Sequence, residues 1–404
     1  MNIRKASVLT IALPALALAA CATPHRLAPE PPASMAEANM GISNVRFLVA
    51  RDSTGFQAEA LSALAKEKAW LAAHGSPPEL APAYYLAISG GGDNGAFGAG
   101  LLNGWTASGT RPEFKVVTGV STGALIAPFA FLGPRYDASL EKFYTTISQK
   151  DIFKSRGMLK GVMGEAMADT TPLAKIIAQN TDQPLLDAIA AEYAKGRMLL
   201  VGTANLDSLE PVIWNMTAIA ASRTPGALQL FRSVLLASAS IPGAFPPVMI
   251  DVTIDGVQHQ EMHADGGTMA QVFVYPPSVN ADLLRQAAPR RRVLYIVRNA
   301  RLDSPWENVP RKTMSIAARA IGSLTTTQGV GDLYRIFATT ERDDVEFNLA
   351  YIPSTFRQHP KEQFDTAYMR KLYAFGQNLG ARGYNWEKLP PGFARPAIAR
   401  SPSK

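Results

Sequence analysis

Two glycine-rich turns about thirty residues apart hold the residue types that acyl transfer needs. They are Gly90-Gly91-Gly92-Asp93-Asn94-Gly95 and Gly119-Val120-Ser121-Thr122-Gly123. A serine flanked by glycines can attack an ester carbonyl if a base takes its proton, and neighbouring glycine amides can receive the resulting oxyanion. Such chemistry requires the serine to be lifted out of the sheet on a sharp strand-to-helix bend, which the G-x-S-x-G spacing provides. The flanking sequence agrees: Tyr84 to Ser89 and Lys115 to Thr118 read as buried strands, and Ala96 to Trp105 and Thr122 to Leu132 as helices. Pro128 predicts a kink or an end in the second of these helices.

The first turn also spells Gly90-x-Gly92-x-x-Gly95, the dinucleotide fingerprint. A nucleotide-binding oxidoreductase would need an acidic residue about 20 positions on, at the end of the second strand. That strand instead runs into Thr118, Gly119 and Ser121. Further along, Val248 to Ile254 and Val257 to Ala264 flank Asp255-Gly256 and read as a β-hairpin whose second strand delivers Asp265-Gly266-Gly267. The loop from Ala237 to Pro247, rich in Ser, Pro and Phe, lies just before the hairpin. In its order of glycine loop, serine elbow, proline-aromatic loop and D-G-G block, the stretch from Tyr84 to Gly267 resembles the patatin-like phospholipase family.

That resemblance implies an α/β fold: a three-layer α/β/α sandwich with a mostly parallel central sheet. It implies a Ser121 nucleophile, Asp265 as its base, and Gly90, Gly91 and Gly92 as oxyanion-hole donors, with no metal and no cofactor. The implied substrate is an acyl ester, phospholipid or lysophospholipid. Family glycine loops usually read G-G-G-x-R/K-G, and Asn94 departs from this. Its side chain either holds the loop or contacts substrate through its amide, or it adopts a turn conformation that asparagine tolerates.

The histidines offer an independent check on a dyad. An α/β-hydrolase triad runs Ser, acid, His, but after Asp265 only His359 remains, in the polar stretch Arg357-Gln358-His359-Pro360-Lys361. His25 falls in the N-terminal tail and His74 at a helix end. His263 alternates onto the face of Asp265, as a base, a gatekeeper or a strand residue. Aspartate, with a pKa of about 3.9 in water, is a poor base until burial raises its proton affinity.

The N-terminus carries Arg4 and Lys5, an apolar run from Ala6 to Ala20, and Leu18-Ala19-Ala20-Cys21, which resembles a bacterial lipobox. The run is too short to span a bilayer and is followed by a small-residue cleavage site. Residues 1–20 are therefore expected to be a lipoprotein signal peptide. Residues 21–41 then form a lipidated Cys21 with a flexible tether, and 42–404 a single acyl-hydrolase domain. Cys21 is the only cysteine. Ala22 rather than aspartate follows it, which favours an outer-membrane anchor in a Gram-negative cell. The expected partners are the membrane, through Cys21, and a phospholipid or other acyl-ester substrate.

The charge of +7 is modest, and Arg290-Arg291-Arg292 is the only basic triple, so nucleic acid is not expected. Further strands are expected at Met198–Gly202, Val212–Trp214, Val293–Val297 and Val345–Ile352. Helices are expected at Thr171–Asn180, Leu185–Lys195, Thr313–Leu324 and Glu362–Gly380. Ile152 to Met167, with Phe153, Leu159, Val162 and Met163, reads as a small helix, either core or a lid over the site. A catalytically silent lipoprotein that uses the fold to bind lipid or envelope partners is the alternative function.

Overall fold

Short β-branched and aliphatic runs between glycine and proline punctuation become the strands of one sheet, and their length and alternation decide which faces are covered. The computed structural model describes residues 26–49, 51, 53–75, 79–157, 164–303 and 306–394. In chain order the strands are β1 (Arg46–Leu48), β2 (Ala83–Ile88), β3 (Val116–Val120), β4 (Lys154–Ser155), β5 (Ala168–Asp169), β6 (Met198–Asn205), β7 (Glu210–Asn215), β8 (Val248–Ile254), β9 (Val257–Asp265), β10 (Arg292–Arg298) and β11 (Glu346–Tyr351). Nine of them form the central sheet, in the order β1-β7-β6-β3-β2-β10-β11 with the β8–β9 hairpin added at β6. The run β6-β3-β2-β10-β11 is parallel throughout, and the remaining pairings are antiparallel. β4 and β5 make a separate two-stranded ribbon.

Both faces of the sheet are covered, as parallel strands require. On one face, Leu86, Ile88, Val117, Leu199 and Val201 pack with apolar residues of helices Gly95–Ala107, Thr122–Leu132, Gln183–Ala194, Ala227–Ser238 and Thr366–Ala381. On the other, Ala87, Leu294, Ile296 and Phe347 pack against Leu333, Ile336 and Phe337 of helix Thr313–Asp343, and Met198 and Leu200 against Phe56 and Ala63 of helix Ser53–Ala73. This is the three-layer α/β/α arrangement. Helices Gly95–Ala107 and Thr366–Ala381 approach to backbone contact, because a Cβ at Gly100 or Gly104 would lie 2.0 Å from a carbonyl oxygen of the partner helix. That contact fixes the helix at whose N-terminus the glycine turn sits.

Several expectations need correction. Helix Thr122–Leu132 runs through Pro128 without ending there. The helix expected to stop at Leu324 continues to Asp343, because Leu333, Ile336 and Phe337 continue a buried stripe at helical spacing. In place of a helix from Ile152 to Met167 there is a short one at Gln149–Ile152, followed by β4, which pairs with β5; residues 158–163 lie outside the described residues. Packing also begins before Ile42. Arg26 pairs with Asp207, Met35 is buried, and Asn39 bridges Thr253, so residues 26–41 lie along the domain rather than free of it. The signal segment and Cys21 lie outside the described residues. Among those described, no helix is long and apolar enough to cross a membrane.

Candidate active site

The site forms where one strand leaves the sheet and another arrives. β3 pairs with β6 as far as Val120 opposite Gly202, and then the chain turns at Ser121 into a helix. β9 takes over the vacated edge of β6, placing Asp265 opposite Thr203. Register alone therefore brings residues 144 positions apart in sequence to the same point, where the Ser121 side chain is near enough to lower the proton affinity of the Asp265 carboxylate.

Ser121 has φ 55° and ψ −125°, a conformation that side chains rarely adopt. Its neighbours make the bend possible. A Cβ at Gly119 would lie 2.4 Å from the Gly123 carbonyl oxygen, and one at Gly123 would lie 2.2 Å from that of Ile88. The bend is pinned from outside as well: the Ser121 amide donates to Ser238 Oγ (3.0 Å), whose hydroxyl donates to the Gly202 carbonyl (2.7 Å). The adjoining Ser240 carbonyl accepts from the Asp265 amide at 2.8 Å. The proline-aromatic loop thus begins by holding the backbone of both Ser121 and Asp265.

Among the described residues, no cation stands beside Asp265. Burial pushes its carboxyl up to about 6, against the lowering effect of the Ser121 side chain and of the Gly267 amide. The other buried acid on the strand is placed differently. Glu261 is paired with Arg46 and with His263 Nε2 (2.9 Å), and these partners hold its carboxyl well below the usual range although burial opposes them.

His263 is fully occupied in this second cluster. Trp214 Nε1 donates to Thr203 Oγ1 at 2.7 Å, Thr203 Oγ1 hydrogen-bonds His263 Nδ1 at 2.9 Å, and His263 Nε2 hydrogen-bonds Glu261 at 2.9 Å. No ring nitrogen remains for Ser121, and of the three roles open to His263 the strand residue is the one the geometry supports. His74 caps its own helix end through the Trp70 carbonyl, and His359 is exposed.

The oxyanion turn needs one correction. The Gly90 amide donates to the Gln271 carbonyl at 3.0 Å and is not free. Among the described residues, the amides of Gly91, Gly92 and Thr122 have no acceptor in the protein. Gly91 (φ 153°) and Gly92 (φ 58°) take conformations suited to glycine, and a Cβ on Gly91 would lie 2.2 Å from the Asn299 carbonyl oxygen. With Thr122, the residue after the nucleophile, they are the available donors, reinforced by the N-termini of helices Gly95–Ala107 and Thr122–Leu132.

Sequence reading missed the residues that stiffen this turn. Asn299 donates to the Ser89 carbonyl (2.9 Å) and accepts from the Gly98 amide (3.0 Å). Gln271, besides receiving Gly90, donates through Nε2 to the Gly267 carbonyl (2.7 Å) and through its amide to Asp332 (2.6 Å). Neither residue belongs to a recognisable motif; only the fold brings them in. Asn94 is helical (φ −66°), not in a left-handed turn, and its Oδ1 accepts from the Tyr368 hydroxyl at 2.6 Å.

An apolar cavity of about 30 Å³ opens beside Ser121, lined by Gly92, Thr122, Leu125, Phe143, Leu173 and Phe245 among others. Two larger cavities, about 110 and 160 Å³, lie on the sheet face covered by helix Thr313–Asp343, the first against Tyr85, Met198 and Arg292 at the strands' N-terminal ends. Of the three, only the smallest is lined by Ser121.

Residues 86–276 match the family described as patatin-like phospholipase, a span that includes both glycine turns and the D-G-G block. Over that stretch, just under half of its length, the chain is similar to the family. No curated protein matches it significantly. Among solved structures it is similar to VipD from Legionella pneumophila (11% identity, TM-score 0.35), the match covering 76% of this chain and 67% of that one. It is also similar to human GIVD cytosolic phospholipase A2 (11%, TM-score 0.29, covering 70% and 52%) and to the type III effector protein ExoU (13%, TM-score 0.21, covering 75% and 54%). The chain spans about half the length of the latter two.

Proposed function

We propose that this protein is a serine acyl-ester hydrolase of the phospholipase A or lysophospholipase type, working through a Ser121–Asp265 dyad. The observation that carries the proposal is a buried carboxylate with no cation among the described residues, set beside a serine on a strained bend and glycine amides that have no acceptor among those residues. Asp265 takes the hydroxyl proton as Ser121 Oγ bonds to the ester carbon, and the carbonyl oxygen becomes an oxyanion facing the Gly91, Gly92 and Thr122 amides. Collapse breaks the ester C–O bond, and Asp265 returns the proton to the departing alcohol. Water then attacks the acyl-enzyme, giving its proton to Asp265 and so back to Ser121. The apolar walls of Leu125, Phe143, Leu173 and Phe245 suit the start of an acyl chain.

We further propose that Cys21 is diacylated and anchors the domain to the bacterial envelope, as its lipobox position suggests. Hydrolysis by the purified protein is tested on a panel of phospholipids, lysophospholipids and short soluble esters. Wild type should turn over at least one ester and Ser121→Ala none; a wild type inert to all of them would leave the lipid-binding scaffold standing instead. For the anchor, Cys21→Ser should leave the membrane fraction on salt washing, and retention equal to wild type would rule out the acyl anchor.

A further inference from the structure

Helix Thr313–Asp343 is longer than the sheet it covers. Its 31 residues span about 46 Å at the usual helical rise, whereas the 7 residues of β10 span roughly 23 Å. Connecting the parallel strands β10 and β11, the helix starts at their C-terminal ends, the end that holds Ser121. It meets the sheet at Gln328, which donates to the Thr268 carbonyl beside the D-G-G block, and at Gly329, where a Cβ would lie 2.2 Å from Arg298. Every buried residue of the helix lies from Gly329 onward. Residues 313–328 overhang the active-site edge.

That overhang is not a polar solvated helix. Met314, Ile321 and Leu324 are 61, 61 and 71% exposed and, with Ala317, recur at helical spacing along one side. Arg319, Ser315, Ser323 and Thr326 fall on the other side, and Ile316 lies outside the stripe. Trp306, just upstream, is 90% exposed. Between Glu307 and Asp332 there is no acidic residue, while Arg311, Lys312 and Arg319 are basic, with Glu307 bonded to Arg319. An exposed apolar stripe with an indole and uncompensated cations at its head suits the interface of an anionic bilayer. A second copy of the same helix would instead bring like charges together. Arg26, the first described residue, lies at the same edge, bound to Asp207 just past the C-terminal end of β6.

We propose that the overhanging half of helix Thr313–Asp343, together with Trp306, is a docking surface for an anionic lipid bilayer that sets the mouth of the Ser121 site against the membrane. The inference deepens the acyl-hydrolase reading and rests on it for its purpose, but docking is measurable without turnover. The full chain carrying Ser121→Ala is mixed with vesicles of phosphatidylcholine, with or without phosphatidylglycerol, containing brominated acyl chains. Tryptophan fluorescence should be quenched, more strongly with phosphatidylglycerol, and Trp306→Phe should remove most of that quenching while leaving the melting temperature unchanged. Quenching that survives Trp306→Phe, or none at all, would overturn the docking surface. Self-association of the chain that Leu324→Glu abolishes, with no quenching, would assign the stripe to a second copy and equally overturn it. In the active protein, Ile321→Glu with Leu324→Glu should lower vesicle hydrolysis roughly tenfold or more while hydrolysis of a short soluble ester stays within about twofold. Equal loss on both substrates would contradict the inference without touching the dyad.

Discussion

The middle and the C-terminal end of β9 place buried acids four residues apart in opposite circumstances. Glu261 sits among Arg46 and His263, with Thr203 and Trp214 completing the cluster, and its carboxyl is held in the ionised form. Asp265 sits beside a hydroxyl and a backbone amide with no cation among the described residues, and burial raises its proton affinity to the range where it can exchange a proton near neutrality. The difference separates a carboxylate that holds a fold from one that can do chemistry. A buried acid with a cation and a histidine is satisfied; a buried acid whose only side-chain partner is a serine is poised to act as a base.

The sharpest break in that contrast is removal of the nucleophile. Ser121→Ala should lower ester turnover by about 10⁶-fold, a loss comparable to that of serine in other activated-serine enzymes. Folded protein that keeps measurable turnover would place the nucleophile elsewhere. Asp265→Asn should cost roughly 10²- to 10⁴-fold, the range for loss of a general base. The same variant should not be less stable than wild type at neutral pH, since it removes a carboxylate whose ionisation the fold disfavours. The sign follows from the raised pKa. Asp265 contributes stability that is full below about pH 4 and lost as pH rises through about 6, so the wild type's melting temperature should fall across that window relative to Asp265→Asn. A melting difference independent of pH would contradict a raised pKa.

In the neighbouring Glu261–His263 cluster the effects should invert. His263→Ala leaves Glu261 and Thr203 with unpaired buried groups and opens a cavity, and should cost about 2–4 kcal/mol in denaturant unfolding. Its turnover, measured on folded protein below its melting range, should stay within about tenfold of wild type, well short of the loss at Asp265. Asn94→Ala and Tyr368→Phe, each breaking the same hydrogen bond, should lower turnover only a few-fold and by similar amounts, as expected for a bond worth about 1 kcal/mol that braces the loop. Unequal losses, with Asn94→Ala much the larger, would point to direct contact of the asparagine with substrate.

What was legible in the sequence is what local chemistry enforces. Gly119 and Gly123 must be glycine because backbone passes within contact of them, and that steric demand is visible as a G-x-S-x-G spacing. The hairpin was readable from Asp255-Gly256, and Asp265 was readable as its terminus. The loss of Gly90 as a donor was not readable, because its acceptor, the Gln271 carbonyl, is 181 residues away and arrives only when the chain after β9 folds back under the turn. The helix that ends at Asp343 rather than Leu324 was hidden for a related reason. Its first half carries an apolar stripe that no described residue covers, and its second half a stripe directed at β10 and β11, so two separate demands lie along one continuous helix.

The central claim is that the base for Ser121 is Asp265 and not histidine. It is tested most directly by the rate at which a fluorophosphonate labels Ser121, followed by intact mass across pH in wild type, His263→Ala and Asp265→Asn. Wild type and folded His263→Ala should both label, with rates that rise with pH through about 6 and then level, and Asp265→Asn should label orders of magnitude more slowly with that inflection gone. Folded His263→Ala protein as unreactive as Ser121→Ala, or an Asp265→Asn variant that labels at the wild-type rate, would contradict it.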